Sequence, residues 1–368
     1  MRCAIFYVLS MFGLERCCLL AALSACAPSP SSPSPNGAPP QGVARHDPIA
    51  LNAACAACHP AIADEQRTSL HGQAHVDPIY QRALAIEPLP FCRSCHAPEA
   101  DPRQPVPPDL GELGVACTSC HLQNGRVRAA PGAGPDPHAA IGAPAIVRSA
   151  EFASPHACAT CHEFAFPDNL GRARPELMQS TLSEHAASPF AQTPCAGCHM
   201  PMVDGHRSHA FAASRSDAAL KRALSVEATR KGPLLQLTLE LNGVGHALPT
   251  GDLFRRLRIE AEHIGGDNNI VATQQRFLAR HFENRPTVAS LRRTVTSDDR
   301  PGGSDVGHQP LDVRFDFGPA AERIGWSVYF ERVLHPAPDQ QHEAVIAETV
   351  LVARGVAARQ HSATMAAP

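Results

Sequence analysis

The sequence predicts an α + β protein in two parts of different texture: a mostly helical and irregular stretch, then an antiparallel β-sandwich. Three observations carry this. Pentads of the form Cys-x-x-Cys-His recur between residues 55 and 199, in a Pro-rich segment with few β-branched runs. From residue 232 onward the apolar period switches to two, the mark of half-buried strands. No cysteine follows Cys198, so the second part must be held together by a different chemistry from the first.

Residues 1–25 read as a secretory signal. Arg16 supplies positive charge, "CCLLAAL" an apolar run, and "LSAC" (Leu23 to Cys26) a small-residue cleavage site that ends in cysteine. The pattern resembles a bacterial lipoprotein signal, in which Cys26 becomes the lipid-bearing N-terminus. An ordinary signal peptide with an incidental cysteine is the alternative. A spanning anchor is disfavoured, because the apolar run is well short of the ~20 residues a membrane helix needs. Translation from Met11 would still give a complete short signal. Residues 26–45, "APSPSSPSPNGAPPQG" and its flank, form a Pro/Ser-rich tether, extended and partly stiff. Ala27 rather than Asp after the cysteine goes, in such lipoproteins, with release to the outer membrane.

Residues 46–215 carry the pentads: "CAACH" (Cys55, Cys58, His59), "CRSCH" (Cys92, Cys95, His96), "CTSCH" (Cys117, Cys120, His121), "CATCH" (Cys158, Cys161, His162) and "CAGCH" (Cys195, Cys198, His199). At this composition random placement would yield about 0.03 copies. Two thiols at i and i+3 suit thioether bonds to the two vinyl carbons of one haem edge, and the adjoining histidine then falls under the macrocycle as the proximal iron ligand. A zinc site needs a second Cys or His pair and no histidine fixed beside the second cysteine. A redox dithiol would occur once, at a helix start. The expectation is five covalent haem c groups. The other cysteines, Cys3, Cys17, Cys18 and Cys26, all lie near the N-terminus, so the mature chain keeps no spare thiol. Such a segment buries little of its own apolar surface, so the chain without cofactor should be largely unfolded. "PELMQSTLSEHAASPFA" reads as a short helix, with Pro175 in its first turn and Met178, Leu182 and His185 on one face.

Residues 216–231, with a Ser216 cap and apolar Leu220, Ala223 and Leu224, read as a linking helix. Residues 232–356 read as the sandwich. "LQLTLEL" (235–241), "LRIEA" (257–261), "VRFDF" (313–317) and "WSVYF" (326–330) alternate, and 269–282 and 343–354 are further strands. The polar stretch from Glu283 to Pro310 reads as a long loop. Residues 357–368 read as a disordered tail.

The order "CAACHPAIADEQRTSLHGQAH … FCRSCHAPEA … LGVACTSCH … CATCH … MQSTLSEHAASPFAQTPCAGCHMP" resembles the exported multihaem cytochromes of the tetrahaem cytochrome/hydroxylamine oxidoreductase superfamily. "NGVGHALPTGDLFRR" resembles the Gly-His-x-x-Pro-Thr-Gly signature of a β-domain attached to many of them. The resemblance implies distal iron ligands. His71 is one, with His75 as fallback on the same helical face. His138 stands ahead of the fourth pentad. His156 is closer to that pentad and could serve only a neighbouring haem. His209 matches better than His206. Similar proteins carry Trp where His185 stands, which speaks against that residue. Residue type alone leaves His246, in a turn between Gly245 and Pro249, equally open as a ligand or a plain turn histidine; the resemblance implies the ligand. Met178, Met200 and Met202 are poor general answers, and His263, His281, His308, His335, His342 and His361 read as surface or packing residues.

The net charge of the chain is −3. Removing residues 1–25 takes away Arg2, Arg16 and Glu15 and leaves −4, and the propionates of five haems would take this to roughly −14. That argues against nucleic acid as a partner and mildly favours redox proteins with basic docking patches. The function expected is an electron relay in the periplasm or at the outer membrane, exported and lipid-anchored. The rival is a multihaem oxidoreductase acting on a small nitrogen or sulfur compound at one open-site haem. Against it, every pentad ends in His, whereas similar nitrite-reducing enzymes place Lys there at the catalytic haem.

Overall fold

In the computed structural model the described residues are 47–86, 88–132, 138, 145–166, 176–212, 216–286, 291–335 and 344–358. The chain divides into units of residues 1–43 and 44–368, and the described residues all belong to the second. The expected signal (1–25), the tether (26–45) and Cys26 lie outside them. Among the described residues no helix is long and apolar enough to cross a membrane.

The architecture is α + β. Up to residue 212 it consists of short helices, tight turns and two- or three-stranded ribbons. Each pentad sits on helical backbone: Pro48–Cys58, Arg93–His96, Cys117–His121, His156–His162 and Cys195–His199. The helical turn puts the two thiols of each motif on one face, and the histidine follows within the same turn or as its cap. The first helix shows how local sequence sets this up. Asp47 caps it, accepting from the backbone N–H groups of Ile49 and Ala50 at 3.0 and 3.3 Å, and Pro48 takes the first position, where no N–H is needed. Among the described residues before 213, the only buried apolar side chains are Ala97, Ala116 and Phe166.

The second half is different. Leu224–Lys231, Leu234–Leu241 and Leu311–Asp316 form one antiparallel sheet, with Leu234–Leu241 central. Ile270–Leu278, Arg256–Ile264, Arg323–His335 and Val345–Ala358 form a second, in that spatial order. Register brings apolar residues opposite one another: Leu235 faces Phe315, Leu237 faces Val313, Ile259 faces Val328 and Leu257 faces Phe330. These residues from both sheets share one buried core. Burial of each such side chain contributes about 1.5–3 kcal/mol.

Four expectations change. The helix read over 216–231 is confined to Asp217–Ala223, and Leu224–Lys231 is a strand of the first sheet. The reason is a shared period: Leu224 continues the helical stripe but also begins the alternation Leu224, Val226, Ala228, and pairing with Leu234–Leu241 decides for the strand. In the segment from Pro175, Leu177–Ser180 pairs with Glu163–Ala165, and the helix begins only at Thr181. The loop read over Glu283–Pro310 holds a hairpin, Arg280–Pro286 with Leu291–Asp298, which pairs Phe282 with Val295 and leaves irregular backbone after Asp298. The last strand runs to Ala358, past the start of the expected tail; residues 359–368 lie outside the described residues.

Candidate functional site

Helix turns deliver the five pentad histidines, and four of them face a second imidazole across a narrow range of distance. Ring centroids are 6.2 Å apart for His59 and His138, 6.2 Å for His71 and His162, 6.2 Å for His121 and His209, and 6.1 Å for His199 and His246. Two imidazole nitrogens each about 2 Å from one metal ion place ring centroids roughly 6 Å apart, so each gap fits one ion held axially from both sides. Among the described residues no cluster of three or more His, Cys, Asp or Glu could hold a bare metal. Paired imidazoles without further side-chain donors suit an ion whose equatorial ligands come from a macrocycle.

Backbone carbonyls fix four of these rings. Nδ1–H donates to a carbonyl in His96 (Ala74, 2.8 Å), His121 (Arg128, 2.8 Å), His209 (Arg207, 2.8 Å) and His246 (Ala247, 2.9 Å). Each bond assigns the proton to Nδ1 and leaves Nε2 with a free lone pair, the usual support of a metal-bound histidine. Burial pushes His71, His96, His199, His209 and His246 below the ordinary imidazole range. Burial together with neighbouring His71 takes His162 down to about 4. The rings are therefore neutral at physiological pH and able to ligate.

The thiols mark how the motifs neighbour one another. None of the ten pentad cysteines is in a disulfide. Cys55 lies beside Cys117, Cys95 beside Cys161, and Cys158 beside Cys195. The first motif thus adjoins the third, and the fourth adjoins both the second and the fifth. Polar groups hold the first three together. Asn52 donates to the Thr118 hydroxyl at 2.7 Å, and Thr118 and Ser119 both donate to Glu99, at 2.6 and 2.8 Å.

The His246 loop is the most heavily braced part of the site. Glu184, buried on the helix Thr181–Ala186, accepts from the N–H of Ala247 at 3.2 Å and from the Thr250 hydroxyl at 2.6 Å. Its other oxygen accepts from Arg300 at 2.8 Å, and Arg300 also grips Asp298 at 2.7 Å and donates to the carbonyl of Pro249. Beside Arg300 and the hydroxyls, the Glu184 carboxyl stays below the usual carboxylate range although burial opposes this. Gly302, at φ +80°, lies against the loop; a Cβ there would come within 2.9 Å of Ala247 Cα. Gly114 plays the same part at His71: at φ +57°, its missing Cβ avoids the carbonyls of His71 and Gly72.

The other expected residues fall elsewhere. His156 is exposed and, among the described residues, faces no pentad ring. His75 packs against Gly111 and sits 5.7 Å from the Tyr80 ring. His206 pairs with Glu65 at 3.2 Å, and buried His185 donates through Nε2 to the Thr193 carbonyl at 2.9 Å. Asn52, Tyr80, Glu99, Glu184 and Arg300 escaped the sequence reading. Each works through a partner distant in the chain, and nothing in its local pattern signals that.

No family model matches the chain, and no curated protein matches it. Among solved structures, the chain is similar to a penta-heme cytochrome c552 from Thermochromatium tepidum. The identity is 19%, the TM-score 0.61, and the match covers 83% of this chain and 97% of the other. At that identity the likeness concerns the fold.

Proposed function

We propose that the chain is a pentahaem c-type cytochrome that relays electrons between redox partner proteins. The observation that carries this reading is the set of four paired imidazoles at 6.1–6.2 Å, each including the histidine of a pentad. The similarity in fold to a penta-heme cytochrome supports it. When bound, haem supplies a one-electron iron couple whose potential follows axial ligand, burial and hydrogen bonding.

The chain's own residues do the rest. Ten cysteines would anchor the cofactors, and the five pentad histidines would each supply one iron ligand. His138, His71, His209 and His246 would supply a second at the first, fourth, third and fifth motifs. The carbonyl bonds to Nδ1 keep the rings of His96, His121, His209 and His246 from rotating. The neighbouring thiols set the first motif beside the third and the fourth beside both the second and the fifth, adjacencies that favour electron transfer between those pairs. The same reading keeps 46–215 as the haem domain and widens the β-sandwich from 232–356 to 224–358, supported by the core its two sheets share. Membership of the tetrahaem cytochrome/hydroxylamine oxidoreductase superfamily remains part of the proposal.

The first test is stoichiometric. Intact mass of mature protein should show five covalent haems that survive denaturation and acid-acetone extraction. Fewer after full maturation, or zinc in their place, would end this reading.

The proposal extends to export and a lipid anchor at Cys26, with the protein on the outer membrane facing the periplasm or the exterior. Cys26→Ser should release it from membranes and leave the precursor unlipidated, because each buried methylene of an acyl chain contributes about 0.8 kcal/mol. Membrane fractionation and globomycin-sensitive processing unchanged by the substitution would refute the anchor.

A further inference from the structure

We infer that the iron held at Cys92–His96 is the one of the five without an imidazole opposite its proximal histidine, and that it takes a small diatomic ligand. This rests on the pentahaem reading and adds to it which iron is open.

His96 is prepared as a ligand in the same way as His121, with Nδ1–H bonded to a backbone carbonyl, here that of Ala74, and Nε2 free. What differs is its ring neighbour. Among the described residues that neighbour is Tyr80, stacked flat at 3.8 Å with an interplanar angle of 8°, whereas the other four pentad histidines each meet an imidazole at 6.1–6.2 Å. The stack excludes Tyr80 as the second axial ligand. A metal lies in the plane of its imidazole, beyond Nε2, so a ligand opposite must stand along that line and not on the ring's face.

Among the described residues, neither histidine nearest in sequence stands opposite His96 at the 6.1–6.2 Å seen for the other pairs. His71 faces His162, and His75 is packed between Gly111 and Tyr80. The surroundings also carry two buried polar atoms without a hydrogen-bond partner, the Tyr80 hydroxyl and His75 Nδ1. Buried polar atoms are almost always satisfied, so two orphans beside one motif point to a group that the protein alone does not supply. A ferrous haem with one imidazole binds carbon monoxide, while one closed by two imidazoles does not.

The test uses the holoprotein. Intact mass first counts haems, and a count below five would fail the pentahaem reading itself, apart from this inference. With five present, the dithionite-reduced protein should take up one equivalent of carbon monoxide and show one iron–histidine stretching band by resonance Raman. Tyr80→Leu, which removes the stack, should shift that band. Tyr80→Phe, which keeps it, should retain the single equivalent with a smaller shift. Uptake of none or of more than one equivalent overturns the inference. So does a band that neither variant moves, because the open iron would then lie at another motif.

Discussion

In His246→Ala, one equivalent of ferric haem should pass from low to high spin, and carbon monoxide uptake by the reduced protein should rise from one equivalent to two. His246 stands 6.1 Å from His199 with the rings only 17° from parallel, and its Nδ1–H is tied to the neighbouring carbonyl. Alanine removes that donor, and the neighbouring His185 ring is tied through Nε2 to the Thr193 carbonyl. The affected potential should move as well, since axial ligation is a main control over a range of roughly 0.8 V. His263→Ala is the control: His263 lies in the second sheet with its ring against Phe317, and the spectrum should not change. Electron paramagnetic resonance of ferric protein decides the matter. A low-spin count equal to wild type in His246→Ala would remove His246 from the ligand set.

A second large effect is expected in Arg300→Ala. Arg300 is 3% exposed and binds both Glu184 and Asp298, themselves buried. Its loss leaves two carboxylates in a dry site without their cation, a change that typically costs about 3–5 kcal/mol. Denaturant unfolding of the holoprotein, followed by circular dichroism, should show this loss. Because the same pair holds Ala247, Pro249 and Thr250, part of the fifth haem should also turn high-spin. Glu184→Gln/Arg300→Met removes both charges of the pair and should recover part of the stability. If Arg300→Ala unfolds at the wild-type midpoint with an unchanged spin state, the pair does not position the His246 loop.

Legibility divides along the range of the interaction. The pentads are plain in the sequence because two thioethers to one haem edge and an adjoining ligand require five consecutive residues. The strands are plain because side chains alternate with period two wherever one face is buried, as in Leu235, Leu237 and Leu239, all 0% exposed. Residues 216–231 read as one helix because Leu220, Ala223 and Leu224 satisfy a helical period, yet Leu224, Val226 and Ala228 also satisfy a strand. Only pairing with Leu234–Leu241 separates the two. The hairpin Arg280–Pro286/Leu291–Asp298 has a polar sequence, and its strands show in the ladder of backbone pairs more than in any apolar pattern.

By itself the sequence determined the number and kind of the cysteine–histidine motifs, the α + β division, and which histidines were worth considering. Covalent chemistry and side-chain alternation are local and leave local marks. Only the tertiary structure decided which imidazole faces which: His138 meets His59, and His71 meets His162, 91 positions further on. It also decided that His96 meets Tyr80, and that a glutamate of the first half and an arginine of the second brace the His246 loop. A second ligand needs only to arrive at the right point in space, and any loop that closes there will serve. Chain distance and neighbouring residue types carry almost no trace of that choice.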